Sequence, residues 1–337
     1  MATIPSPMEA KLVEELPTDS GWQFEPKWDG FRAICFRKDN DVAITSRAGK
    51  RLDRFFPELV QVLQSVKTKC FMIDGEIILP IGDILSFDAL QARLHPAPSR
   101  IERLSRETPA QLMLFDCLAM NNLTLACDPL RERRRALEDF HRRNCGPSLL
   151  LSPASEDVAQ ARRWLSSAGG ALDGVVAKRL EDPYRAGERA MRKVKQQRTA
   201  DCVIGGFRRT SDGTGVASLL LGLYDEAGKL NHVGFTSAIA AKEKAHLLTT
   251  LEPLIEEPGF TGKAPGGPSR WNSGKENPWE PLRPELVIEV VYDQVTGNRF
   301  RHGTKLLRWR PDKAPDQCDM EQLEYELRPA GLSQLNT

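Results

Sequence analysis

The sequence has almost no excess of charge: 47 lysines and arginines stand against 46 aspartates and glutamates, a net charge of +1. Total charge therefore gives no argument for a polyanionic partner, and any basic surface has to be local. The seven cysteines include no C-x-x-C pair, and no His and Cys cluster has metal-ligand spacing. That argues against structural zinc and against a disulfide framework, and fits a reducing compartment. No stretch approaches the roughly 18 apolar residues of a membrane span. The first residues carry no basic region followed by an apolar one. A soluble, cytoplasmic protein is expected. Internal repeats and low-complexity tails are also missing. At 337 residues the chain has room for two domains, each with its own core.

What is present is a series of charged motifs at predicted strand ends. Glu25-Pro26-Lys27-Trp28-Asp29-Gly30-Phe31-Arg32 places a lysine beside an acid and a glycine turn. Such a lysine can be a nucleophile, but free lysine has a pKa of about 10.4, so attack near neutral pH needs nearby cations or partial desolvation. Taken alone, the motif reads first as a hairpin turn with a solvated lysine. Downstream come Ser46-Arg47-Ala48-Gly49-Lys50, Asp74-Gly75-Glu76 inside an apolar run, Phe115-Asp116, and Asp173-Gly174-Val175-Val176-Ala177-Lys178. Lys193-Val194-Lys195 and Arg308-Trp309-Arg310-Pro311-Asp312-Lys313 complete the series.

Residues 22–46 read as paired strands turning at 38–41, with Phe31, Ala33 and Cys35 on one face. A helix follows Pro57, with Leu59, Leu63 and Val66 on one side, and 70–79 is a buried strand carrying Asp74 and Glu76. A second helix is expected from Asp128 as N-cap and Pro129 to about Arg143. Its arginines, including Arg131, Arg133, Arg134 and Arg135, read as a solvated face because acids are interleaved, with a DNA contact as the other reading. Ser155 is the expected cap of a third helix, which Gly169-Gly170 ends before a strand over 172–178. From about Ala200 the texture becomes strands at 202–208, 217–224, 230–236, 286–292 and 304–310, with one helix over 242–252. Five strands and one inserted helix fit a small OB-type barrel, a fold often used on nucleic acid. Residues 196–199 are the expected hinge, and 258–281 a long loop.

In this order the motifs resemble those of the covalent nucleotidyltransferases, the superfamily of ATP-dependent DNA ligases, RNA ligases and mRNA capping enzymes. The resemblance runs from about residue 10 to about 328, and is closest to the short bacterial ligases called ligase C and to the ligase domain of bacterial ligase D. It implies an α+β fold: a nucleotidyltransferase (adenylation) domain over 1–198, with antiparallel sheets and flanking helices, followed by an OB-type β-barrel domain over 199–337. It also implies an ATP-dependent DNA ligase that adenylylates Lys27, passes AMP to a 5′-phosphate and seals a nick in duplex DNA.

The roles follow residue by residue. Lys178, Lys193 and Lys195 would neutralise the α-phosphate and lower the pKa of Lys27 by like-charge repulsion. Glu76 and Asp173 would hold Mg²⁺ or Mn²⁺, with turn carboxylates as the alternative. Ligases usually have glutamate at the place of Asp173, so contact there is direct or through water. The resemblance gives Phe115 as the platform for the purine, against a core phenylalanine, and Glu25 as the reader of its exocyclic amine. Arg32 and Arg47 would meet ribose and phosphate, and Arg47 also the 5′-phosphate of the nick. Arg308, Arg310, Asp312 and Lys313 match the last ligase motif, which closes over the nucleotide and orients pyrophosphate; a charged edge strand is the alternative. Only 26 residues precede Lys27, so partial encirclement of DNA is expected, as a monomer with a repair polymerase or end-binding partner. Rival readings are an RNA ligase or GTP-dependent capping enzyme, and a catalytically inactive nick-binding module.

Overall fold

The computed structural model describes residues 4–82, 84–144, 146–167, 172–196, 198–266 and 278–323. They divide into two compact units, one up to Gln196 and one from Arg198 onward. The Gly169-Gly170 helix stop, Gln197 of the expected hinge and residues 267–277 of the expected loop lie outside the described residues.

In the first unit the strands are β1 (Ala10–Leu12), β2 (Trp22–Trp28), β3 (Phe31–Lys38), β4 (Asp41–Ser46), β5 (Cys70–Ile78), β6 (Pro80–Ile81), β7 (Ile84–Leu85), β8 (Gln111–Met120), β9 (Leu123–Thr124), β10 (Leu149–Leu151), β11 (Leu172–Arg179) and β12 (Met191–Val194). The helices are α1 (Pro57–Ser65), α2 (Phe87–Ala92), α3 (Pro98–Glu107), α4 (Leu130–Asn144) and α5 (Val158–Ser166). One sheet runs β1-β12-β11-β2, and a larger one runs β10-β8-β5-β3-β4 with β9 on β8.

The alternation of β3 explains how the layers stack. Ala33 and Cys35 face one way, into a core with Phe56, Leu59 and Leu63 around α1 and Leu137 and Phe140 of α4. Ile34 faces the other way, toward Met8, Met72, Leu118, Tyr184 and Met191 between the two sheets. The far side of the smaller sheet packs Trp22, Phe24, Val175 and Ala177 on Ala161 and Trp164 of α5. The unit is therefore helix, sheet, sheet, helix.

Two helix readings need correction. The cap of α5 is Asp157, whose side chain accepts from Ala159 N at 2.8 Å, while Ser155, two residues earlier, accepts from Asp157 N. Nor is α4 simply solvated: Arg133 and Arg134 are buried. Arg133 grips Asp116 through Nε at 2.8 Å and Nη2 at 3.1 Å, and donates to the carbonyls of Asp128 and Asp182. Arg135 and Arg142 do pair with acids on the exposed side.

In the second unit, β13 (Arg198–Arg209), β14 (Val216–Tyr224), β15 (Leu230–Thr236), β16 (Glu280–Pro281), β17 (Val287–Tyr292), β18 (Val295–Thr296), β19 (Arg299–Phe300) and β20 (Lys305–Trp309) accompany the helix α6 (Lys244–Leu251). The main sheet runs β15-β14-β13-β17-β20. A parallel bridge between Thr236 and Thr304 joins its two ends. That closes the five strands into a barrel with α6 inserted after the third, as the strand pattern predicts for an OB-type domain.

Candidate active site

Three motif glycines shape the site, Gly30 in the turn between β2 and β3, Gly75 within β5 and Gly174 within β11. A Cβ on Gly30 would collide with the Ile77 carbonyl, and one on Gly174, which has φ +135°, with the Val194 carbonyl. A Cβ on Gly75 would stand 2.7 Å from the Met113 carbonyl oxygen. Only glycine lets these backbones approach so closely, which is why acid-glycine pairs recur in the motifs.

Between the two sheets of the first unit lies a cavity of about 1260 Å³, lined by Glu25, Lys27, Arg32, Arg47, Glu76, Phe115, Lys178 and Lys193 among others. It exceeds the roughly 300–1,000 Å³ usual for small-molecule sites, which leaves room beyond one nucleotide. Eight sequence-predicted residues are thus gathered in one place. Arg32 and Glu76 are cross-strand partners on β3 and β5, so both project between the sheets.

Lys27, next to last on β2, has its Nζ 2.5 Å from Asp173 Oδ2. The other oxygen of Asp173 is 3.1 Å from Lys195 Nζ. Lys195 therefore lies just beyond β12 on the acid, rather than beside Lys193 in the wall of the cavity. Lys193 has its pKa lowered, first by burial and then by the charges of Lys27 and Lys195. Burial pushes the Glu76 carboxyl up to about 7, against the smaller pull of Lys27 and Arg32. Among the described residues no group of three or more His, Cys, Asp and Glu stands ready for a metal ion.

Glu25 and Lys178 form a buried pair: Lys178 Nζ donates to both carboxylate oxygens at 2.8 and 2.9 Å and to the Phe115 carbonyl at 3.2 Å. Gln23 Nε2 donates to Glu25 Oε1 at 2.7 Å. The Phe115 ring has the Arg32 guanidinium 4.5 Å and Lys178 Nζ 4.7 Å from its centroid. Arg32 in turn meets Asp74 through Nε and Nη2, both at 2.6 Å. Arg47 is exposed at the rim, with Nη2 2.7 Å from Glu9.

The last motif belongs to the second unit. Arg310 Nη1 donates to Asp201 at 2.8 and 3.0 Å, Lys313 Nζ donates to the same carboxylate at 2.8 Å, and Arg310 Nη2 meets Asp312 at 2.9 Å. Arg308 Nε donates to Glu289 at 2.6 Å.

Residues 7–195 match the family described as ATP dependent DNA ligase domain, and residues 212–313 match the ATP dependent DNA ligase C terminal region. The chain belongs to the ATP-dependent DNA ligases. Sealing of nicks by way of adenylation is the general activity of that family. DNA ligase C1 of Mycolicibacterium smegmatis is 45% identical over 95% of this chain and 94% of its own length. The multifunctional non-homologous end joining DNA repair protein LigD of Mycobacterium tuberculosis is 27% identical over 90% of this chain and 38% of its own. A solved structure of a Lig E DNA ligase, described as a minimal scaffold for DNA binding, superposes with a TM-score of 0.57. It is 17% identical and covers 91% of this chain and 100% of that one, which speaks for the fold.

Several residues of this ligase's site escaped the sequence reading. Val176 lines the cavity from β11, on the sheet opposite Phe115. Its spacing of two from Lys178 was the available signal, since both then share a strand face. Asp74 stood out as an acid inside an apolar run, but nothing local says that its partner is Arg32. Gln23 carries no motif, and its contact with Glu25 exists only after folding; the same is true, within the second unit, of Asp201.

Proposed function

We propose that this ligase carries its AMP on Lys27 and seals nicked duplex DNA in repair, with Mg²⁺ or Mn²⁺ as the accompanying metal. Attack by the Lys27 amine on the α-phosphorus of ATP makes the P–N bond and breaks the bond to the bridging oxygen. Pyrophosphate leaves and the nitrogen gives up a proton. AMP then passes to the 5′-phosphate of the nick, and the 3′-hydroxyl displaces it. Such chemistry is mainly positioning and electrostatics.

The observation that carries this reading is the place of Lys27 in the cavity wall, with Lys193 and Arg32 adding positive charge and Phe115 and Val176 offering apolar faces from opposite sheets. Glu25 and Lys178, an ion pair that also lines the cavity, would serve the base and the phosphates. The donor set fits a divalent cation held by few carboxylates and the substrate's phosphates. Glu76 is the residue suited to hold it, because a cation there would replace the proton that burial favours. Asp173, shared by two lysines, would reach it through water. When bound, the ion would screen the phosphate charge.

On this reading residues 1–198 are the adenylation domain and 199–337 the OB-type domain, whose Arg308, Arg310, Asp312 and Lys313 serve the ATP-dependent step. Arg47, exposed at the rim, suits the 5′-phosphate of the nick. A repair role beside a polymerase or an end-binding protein draws on the likeness to LigD, and a cytoplasmic monomer is the form expected. Incubation with labelled ATP or GTP, followed by a denaturing gel, tests the first step, and a nicked duplex tests the second. Label taken only from GTP, or no label at all, would overturn the reading.

A further inference from the structure

Arg32 is one member of a closed ring of hydrogen bonds. Tyr184 Oη donates to Asp74 Oδ2 at 2.6 Å and accepts from Met8 N at 2.8 Å. Arg32 Nη2 donates to the same Asp74 oxygen at 2.6 Å and to the Met8 carbonyl at 3.2 Å. Arg32 Nε holds the other Asp74 oxygen at 2.6 Å. Four groups from residues far apart in the chain thus fix one another, and Asp74 and Tyr184 are both buried.

The ring decides which donors of Arg32 remain. Nε and Nη2 are used on Asp74 and Met8, whereas Nη1 makes no hydrogen bond among the described residues. The residue lines the cavity, so the two Nη1 hydrogens are the ones left for an oxygen of a bound nucleotide. We infer that Tyr184 is a positioning residue for nucleotide binding: through Asp74 it sets the plane of the Arg32 guanidinium, and through Met8 it sets the chain segment beside it. Pro7, Met8, Glu9, Ala10, Lys11 and Leu12 all line the cavity, so that segment and the arginine are placed together. A buried carboxylate with two donors on one oxygen has little freedom to turn. Burial, and next the charge of Asp74, raise the pKa of the Tyr184 phenol, which therefore keeps its proton to donate.

The inference rests on the reading of the cavity as the ATP site, and the two can be tested apart. The full chain is compared with Tyr184→Phe, Arg32→Lys and the double variant, measuring protein-AMP formation against ATP concentration and the thermal midpoint of each. Tyr184→Phe should raise KM for ATP about tenfold, the factor that about 1.4 kcal/mol represents, with a smaller change in kcat. In the Arg32→Lys background the same change should add less than about twofold, because residues acting as one unit are not additive. Asp74→Asn, which keeps the shape and removes the charge, supplies the same comparison if Tyr184→Phe does not fold. An unchanged KM in a folded variant, or an equal factor in both backgrounds, overturns the positioning role. Failure of the unaltered protein to take up AMP would instead overturn the ATP site itself.

Discussion

Lys27 and Asp173 are joined at 2.5 Å, and the same carboxylate reaches Lys195 at 3.1 Å with its other oxygen. One acid thus holds two of the four lysines, Lys27, Lys178, Lys193 and Lys195, that the motifs propose for work on the α-phosphate. Lys27→Arg keeps a cation for Asp173 but offers no amine that can lose its proton near neutral pH. Neither Lys27→Arg nor Lys27→Ala should form protein-AMP, whereas Lys195→Ala should slow the reaction without abolishing it. Intact-mass measurement after incubation with ATP checks this, and a stable adduct on either Lys27 variant would sink the covalent role.

Glu76 gives a pH dependence with a definite sign. Its carboxyl is held at about 7 in the folded protein against an ordinary 4.5, chiefly by burial. A carboxyl with a raised folded pKa contributes its full stability below the unfolded value and loses it as pH climbs through the folded one. Glu76→Gln should therefore raise the thermal midpoint of the metal-free protein at pH 8 by more than at pH 5. The same change should raise the Mg²⁺ or Mn²⁺ needed for adduct formation roughly ten- to hundredfold. A midpoint difference that does not vary between pH 5 and 8 would contradict the buried carboxyl, and an unchanged metal titration its role as ligand.

Legibility followed the range of the interactions. The faces of β3, the buried course of β5 and the five barrel strands could be read because a period of two is written in neighbouring residues. Motif order placed Lys27, Arg32, Glu76, Phe115, Lys178 and Lys193 around one cavity. What could not be read were pairings made across the fold. Arg133 looks like one more arginine on a charged helix, and only the approach of β8 turns it into the partner of Asp116. Lys195 matches Lys193 in spacing, but β12 ends at Val194, so the alternation does not extend to it. Asp201 gives no signal at all until β20 brings Arg310 and Lys313 to it.

The Arg133 and Asp116 pair makes a stability prediction, since both side chains are about 1% exposed. Removing one member leaves an uncompensated buried charge, which costs about 3–5 kcal/mol, while replacing both by apolar groups is often tolerated. Asp116→Ala should fall in that range in urea unfolding. Asp116→Leu with Arg133→Met should recover most of the loss, and Arg135→Ala should stay within about 0.5 kcal/mol. A loss below about 1 kcal/mol for Asp116→Ala would return the helix to a solvated role.

The barrel motif can be assigned by separating two reactions. Arg310 and Lys313 converge on Asp201, and Arg310 also holds Asp312, so the motif is a linked set of charges. If these residues serve the departure of pyrophosphate, Asp312→Ala and Lys313→Ala should suppress protein-AMP formation by roughly a hundredfold or more, the scale of a lost electrostatic contact in a transition state. Joining of a nick that already carries 5′-AMP releases no pyrophosphate, so a group that acts on that leaving group cannot assist the step. Single-turnover sealing of pre-adenylylated nicked DNA should then stay within about threefold of the unaltered ligase. Asp201→Asn is the structural control: it loosens both cations without removing either, and should weaken the ATP step less than Lys313→Ala. Should both reactions of Asp312→Ala and Lys313→Ala collapse together, the linked charges are holding the barrel itself or its contact with DNA, and the assignment to pyrophosphate fails.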